Sequence, residues 1–362
     1  MPRTPAFVLP ALACAAAAPA QTGTLTAPAA AASRDGLGVL EVAGFTRTMR
    51  QQFLLGPSHL SGARGMELVA LRFRRDGHVV EHNPGAAQVV VRLSASSALD
   101  PARPDPRFDA NHHVPPVTVF QGVVTLPRSP ALAHRDAATW ATPDAITIPF
   151  ARPFRYSGGA LCIEIEGAPV VGSESTWWSI DAEQAPGGTV TTIGSACGPV
   201  AQRVARVASA DPRTLRPGST ARFLAFAEPN SLAMMCVAVE QIGPIDLGFL
   251  RAPGCALYVL PVASVAAVVR PTTPQRPGIG SVPLQLPGDV VLLGGSILTQ
   301  WAHVDGMGTL TTTNALQCSL AAMPSDLDAS TVVALANGST SPQTGRTDVG
   351  TMPVVQIDYR TP

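Results

Sequence analysis

The sequence predicts an all-β fold of two antiparallel β-sandwiches in tandem, of jelly-roll or immunoglobulin-like type. Three observations carry this. Proline and glycine are abundant, at 35 and 32 of 362 residues, and proline breaks helices because it lacks an N–H and clashes with the preceding turn. Short apolar runs recur at roughly ten- to twenty-residue spacing between Gly-, Pro- and Asp-bearing breaks, the pattern of strands and turns. No stretch sustains the 3.6-residue apolar period of an amphipathic helix.

Composition narrows the class further. Apolar residues make up 46% and charged residues 14% of the chain, too apolar for disorder. Formal charge is zero, from 25 basic and 25 acidic residues. Nucleic acid is therefore not an expected partner, because its recognition needs a basic surface. Every basic residue is arginine. The absence of lysine excludes Schiff-base catalysis, a Walker P-loop and Lys–Asn isopeptide crosslinks.

The chain opens with Arg3, an apolar run over 7–18 and Ala18-Pro19-Ala20 before Gln21, the pattern of a secretory signal peptide. Residues 1–20 are read as that signal. The run over 9–14 is a poor lipobox, so Cys14 is expected to leave with the signal. The rest is expected to be secreted or extracytoplasmic, in the periplasm or at the cell surface. No later run is long enough for a transmembrane helix.

The remaining chain, about 340 residues, exceeds one ordinary core. Residues 21–35, rich in Ala and Thr, read as a flexible leader, 36–194 as a first sandwich, 195–322 as a second and 323–362 as a tail with a terminal strand. Strand candidates in the first are 39–42, 52–55, 66–74, 88–93, 117–126, 145–150, 160–165, 176–180 and 189–193. The apolar parity of 66–74 switches midway, which predicts a bulge near Ala70. Candidates in the second are 203–208, 220–226, 233–239, 256–262, 280–286, 297–304 and 315–320, with a helical turn within 288–295. In the tail, 325–335 reads as helix or strand, Asn337-Gly338 as a turn overlapping a sequon, and 353–359 as a strand that pairs with either sandwich.

Five cysteines follow the signal: Cys162, Cys197, Cys236, Cys255 and Cys318. In an oxidising compartment they are expected largely to pair, leaving one thiol. No close spacing points to zinc, and spacing leaves the pairing open.

Candidate chemistry is sparse. Asp100, Asp105, Asp109, His112 and His113 concentrate ligand-type side chains, with Asp105, Asp109 and His112 as the metal candidates for calcium or a transition metal. Proline punctuation makes this a long exposed loop, where adjacent histidines diverge. Asp326 and Asp328 read as a helix start or solvated loop. Ser58 and Ser195 lie in no nucleophile elbow. Glu164 and Glu166 share a strand face, with Asp181 nearby in the chain; they are the carboxylates a hydrolase would use, though such residues usually face water. Trp177 and Trp178 are the binding candidates. Consecutive strand residues face opposite sides, so one is expected in the core and the other free to stack on a sugar ring. Aromatic residues are only 5% of the chain, which is poor material for a broad glycan platform. Trp301 beside Gln300 reads as core.

From Cys197 to Leu320 the order of Cys197-Gly198, Pro244-Ile245-Asp246-Leu247, Ala252-Pro253-Gly254-Cys255, Leu257, Pro283-Leu284-Gln285-Leu286-Pro287, Gln300-Trp301 and Thr313-Asn314-Ala315-Leu316 resembles a module of exported tandem β-sandwich proteins of planctomycete type. Leu71-Arg72-Phe73-Arg74, Gly122 to Pro127, Phe154, Tyr156 and Leu161 to Ile165 resemble the sandwich that precedes it. The resemblance implies a Cys197–Cys255 disulfide, a Cys236–Cys318 pair on neighbouring strands and a buried Cys162. It implies no catalytic residues. Cys236, Cys318 and the tail after Leu320 depart from its pattern. The expected role is an exported, non-enzymatic structural or adhesive protein of the cell envelope or extracellular space, with a cell-surface protein or glycan as partner. The alternatives are a secreted carbohydrate-binding module using Trp177 or Trp178 and the 100–116 loop, and a carboxylate-dependent hydrolase acting between the sandwiches.

Overall fold

Alternation builds the first sheet. In Leu161-Cys162-Ile163-Glu164-Ile165-Glu166, successive side chains take opposite faces, and Leu161, Ile163 and Ile165 enter one apolar core. A computed structural model describes residues 22–77, 80–132, 138–174, 178–204, 206–273, 276–304, 308–336 and 341–362. The signal peptide with Cys14, the Asn337-Gly338 turn and Trp177 lie outside the described residues.

The chain first forms β1 (Thr22–Ala27), β2 (Gly38–Glu41), β3 (Met49–Leu55), β4 (Glu67–Arg74) and β5 (Gly85–Ser96). It continues with β6 (Val117–Leu126), β7 (Ala145–Arg155), β8 (Ala160–Pro169) and β9 (Ser179–Gln184). Next come β10 (Thr189–Ile193), β11 (Ala208–Ala210), β12 (Thr220–Ala227), β13 (Leu232–Asp246) and β14 (Ala256–Val268). They are followed by β15 (Gly278–Gln285), β16 (Ser296–Val304), β17 (Leu310–Thr312) and β18 (Ala315–Ser319). The end supplies β19 (Ala329–Leu335), β20 (Arg346–Val349), β21 (Thr351–Pro353) and β22 (Val355–Arg360).

The fold is all-β, as expected, with antiparallel pairing. Sheets β1-β22-β4-β7 and β20-β19-β3-β8-β5-β6 enclose the larger core, which holds Phe53, Leu71, Phe73, Val91, Ile148, Ile163 and Ile357. Sheet β2-β9-β21 packs beside them. A second core, with Phe223, Met235, Val282, Trp301 and Leu316, lies between β10-β18-β16-β13-β14 and β11-β12-β15. The bulge at Ala70 is present as register shifts against both neighbours of β4. The 288–295 turn is a short 3-10 segment, Val290–Leu292, and the 325–335 segment is strand β19.

Three strand assignments change. The leader expected to be flexible contains β1, which pairs along its length with β22; Gly23 leaves the space that the Tyr359 ring fills, since a Cβ there would sit 2.5 Å from it. Residues 189–193, assigned to the first sandwich, pair with β18 of the second core. The tail supplies four strands: β22 between β1 and β4, β19 and β20 beside β3, and β21 beside β9. The segment from β10 to β18 is thus inserted between strands of one sandwich. Its seam to the tail is hydrogen-bonded: Thr347 Oγ1 donates to Gly218 O at 2.7 Å and the Val349 N–H donates to Ser219 Oγ at 2.9 Å.

Cys197 and Cys255 form the disulfide. Cys162 is buried and free. The expected Cys236–Cys318 pair is a correction, because both thiols are free. Strand β16 lies between β13 and β18, and Cys236 sits opposite Gln300 while Cys318 sits opposite Ile297. Two strand spacings give about 10 Å, and Gln300 and Ile297 take opposite faces of β16. No disulfide spans that geometry. Burial raises the pKa of both thiols, that of Cys318 to about 12.

Two outcomes follow. Alkylation in denaturant without reductant labels Cys162, Cys236 and Cys318 but neither Cys197 nor Cys255, read by peptide mass; Cys197→Ser costs about 2–4 kcal/mol in a chemical melt. A chain ended at Pro353 loses the unfolding transition of the larger core, because β22 is missing from the middle of its sheet, and keeps that of the core around Phe223 and Trp301; calorimetry reads this directly.

Candidate functional site

The outward positions of β3, β8 and β5 carry Arg50 and Gln52, Glu164 and Glu166, Arg92 and Ser94. Register brings them together: Gln52 and Arg92 flank Glu164, and Arg50 lies across from Glu166. Cross-strand neighbours on one face meet, so six polar side chains form one patch. The 97–116 loop folds over half of it. Phe108 and Leu99 plug an apolar corner with Leu54, Cys162 and Val332, and the Arg50 guanidinium stacks 4.7 Å over the Phe108 ring.

Glu164 is the hub. Its Oε2 accepts from Arg50 Nη2 at 2.9 Å and Gln52 Nε2 at 2.8 Å, and its Oε1 accepts from Arg92 Nη1 at 2.8 Å. His112 Nε2 lies 3.2 Å from Oε2, while its Nδ1 lies 2.7 Å from Ser94 Oγ. Burial pushes the Glu164 carboxyl up, but the His112 hydrogen bond and the Arg50 charge outweigh it and hold it at about 2. For Arg50, burial lowers the pKa and is outweighed by Glu164 and Asp109, so the net shift is upward. Arg92 reaches on to Glu166 at 3.2 Å. Arg50 Nε and Ser341 Oγ are buried without a partner among the described residues.

Above this hub opens a pocket of about 540 Å³. Arg50, Arg92, Glu164 and Glu166 form its floor; residues 109–116 make one wall, and Ser341 and Gln343 the other. Half-exposed charges on Arg92 and Glu166 sit beside the apolar surfaces of Val114, Pro115 and Pro116.

The metal candidates do not gather. Asp105 pairs with Arg107 at 2.8 Å, Asp109 with Arg50 at 2.9 Å, and His112 turns inward to Ser94 and Glu164. Arginine already supplies the cation to each carboxylate. Trp178 is no stacking platform: it is fully buried, donates its Nε1–H to Pro127 O at 2.8 Å and packs edge-on against His82. Trp301 is core, as expected.

Asp181 sits elsewhere. It is fully buried on β9, accepts from Arg74 Nε at 2.8 Å and from the Gly36 N–H at 2.8 Å. A Cβ at Gly36 would lie 2.0 Å from Ala182 O, so this approach requires glycine. Carboxylate oxygens of Asp35, Asp76 and Asp181 lie within 4.8 Å of one another. Burial raises the Asp181 carboxyl to about 6, with the Asp35 charge adding to it and Arg74 opposing. Glu164, Glu166 and Asp181 therefore do not face one another across a cleft.

No family model matches the chain. No curated protein matches it either. Among solved structures, the VP2 subviral particle of infectious bursal disease virus aligns over 94% of this chain and 79% of that one, at 10% identity and a TM-score of 0.16. A likeness that weak carries no argument.

Sequence reasoning missed Arg50, Gln52, Arg92 and Ser94. Their signal was opposite charge at outward strand positions, which means nothing until β3, β8 and β5 are known to be neighbours.

Arg50→Ala leaves Glu164 with Arg92 and His112, so it costs about 2 kcal/mol, below the roughly 3–5 kcal/mol of a buried pair broken outright; a urea melt measures it. Glu164 has its ordinary value near 4.5 when unfolded and about 2 when folded. A depressed folded value gives stability that is complete above pH 4.5 and lost as pH falls toward 2. Comparative melts across that window are expected to show this loss in the native chain and not in Glu164→Gln.

Proposed function

We propose that this chain is an exported, non-enzymatic adhesive protein that holds a hydroxyl-rich partner, such as a cell-surface glycan, in the pocket over β3, β5 and β8. The observation that carries the reading is the pocket of about 540 Å³ over a hub in which Arg50, Gln52, Arg92 and His112 all hold Glu164 in place. The Glu164 carboxyl, held at about 2 by His112 and Arg50 against burial, has no proton to give near neutral pH. Glu166 shares Arg92 with it. A general acid would need a raised value, whereas a binding site gains from donors and acceptors locked in place before the ligand arrives. Arg92, Glu166, Asp109 and Gln343 alternate donors and acceptors beside a Val-Pro-Pro surface, which suits a ring carrying both hydroxyls and C–H faces.

The disulfide fits an oxidising compartment, and no helix among the described residues is long and apolar enough to cross a membrane. The signal-peptide pattern and the resemblance to exported tandem sandwiches support the same address.

A glycan array of the chain from Gln21 to Pro362 tests this. Binding is expected, weakened tenfold or more by Glu166→Gln and Asp109→Asn in folded protein. A blank array, or binding indifferent to both substitutions, removes the pocket from the function.

A further inference from the structure

Strand β14 ends its sheet, with β13 on one side and no strand paired on the other among the described residues. Its segment Val262-Ala263-Ser264-Val265-Ala266-Ala267-Val268 has no charge, proline or glycine. Unpaired N–H and C=O groups on such an edge are a template for another strand. Three other terminal strands of this protein are protected. Strand β7 carries Pro149, Arg152, Pro153 and Arg155, strand β20 carries Arg346 and Asp348, and β6 lies against β7. On β14 such devices are confined to the start of the open segment: Pro261, and a bulge at Val262, which the ladder with β13 skips.

We propose that a second copy of this chain docks here, by two-fold antiparallel pairing of Ala263–Ala267 with itself. Pairing about Val265 sets Val265 opposite its own symmetry mate, Ser264 opposite Ala266 and Ala263 opposite Ala267, all within the regular part of the ladder with β13. No like charges meet, because there are none. Such self-complementarity is what a two-fold interface demands.

The surface is large enough. Val262 and Val268 are 64% and 65% exposed and Val265 37%, and Leu232, Met234, Val239 and Leu260 are exposed around them. Counted over both faces of the sheet, these seven side chains present on the order of 600 Å² of apolar surface, most of the roughly 800 Å² each partner gives a standard interface. A groove of about 620 Å³ runs beside the edge, with Val265, Val268, Ile279 and Val282 in its lining and Arg270, Thr272 and Ser281 as its polar members. Side chains of the incoming strand that share the face of Val265 cover this groove, while Val268 lies on the opposite face near Leu232 and Met234.

Sedimentation of the chain from Gln21 at concentrations up to about 100 µM is expected to give twice the monomer mass. Val265→Lys and Val265→Glu each place like charges at the two-fold axis and are expected to sediment as monomers. Mixed in equal amounts they are expected to restore the dimer. Near-UV circular dichroism and melting temperature report that each variant is folded; Ser264→Lys, at an exposed position, replaces Val265→Lys if that variant melts early. A native chain that stays monomeric at the highest concentration overturns the proposal. So does a dimer that both charged variants leave intact, or open-ended growth into fibres.

Discussion

Strand β22 is hydrogen-bonded on both edges, to β1 on one side and to β4 on the other, and it places Val355 and Ile357 in the larger core. Everything in the N-terminal sandwich leans on this one placement. Without β22, strand β1 has no partner and β4 has a bare edge. On the outer side Arg72 reaches Asp358 at 2.7 Å, so the strand is tied by charge as well as by its ladder. The opposite sheet depends on the tail in the same way, through β19 along the whole of β3. A sandwich closed by its last strands has a fixed width, and that width sets where the outward residues of β3, β8 and β5 meet.

The polar hub shows what an all-arginine basic complement does. Arg50 bridges Glu164 and Asp109 through Nη2, and Arg92 bridges Glu164 and Glu166 through Nη1, so one amino group of each planar guanidinium serves two acceptors at once. A lysine ammonium is a point charge without that fixed geometry. Burying such a network yields little net stability, because desolvation offsets attraction. It instead imposes a single arrangement on the 97–116 loop, which must deliver His112 and Phe108 to their places.

Strand character was legible wherever side chains alternate by type. Residues 160–165 announce themselves by apolar parity, and the parity switch at Ala70 locates the bulge. Allegiance between strands was not legible. Thr189 to Ile193 reads the same whichever sheet it joins, and the Thr-Gly-Thr-Leu-Thr-Ala of β1 resembles a solvated leader until Tyr359 is seen over Gly23. The cysteines failed for a related reason, since parity across an intervening strand decides whether two thiols face each other. The loop with Asp105, Asp109 and His112 concentrates ligand-type groups in the sequence. What the chain alone hides is that Arg50, from a distant strand, occupies Asp109, while Asp105 is taken by its near neighbour Arg107.

The insertion of β10 to β18 between strands of one sandwich also orders the events of folding. All strands around Phe223 and Trp301 come from one continuous stretch, so that core can close as soon as the stretch is free. The sandwich that begins earlier in the chain cannot finish until its final six-residue strand arrives, with the ends of its sheet held apart by more than three hundred residues of sequence separation. Domains usually mature from the N-terminus onward during synthesis. Here the middle of the polypeptide is the part equipped to fold first, and the beginning waits for the end.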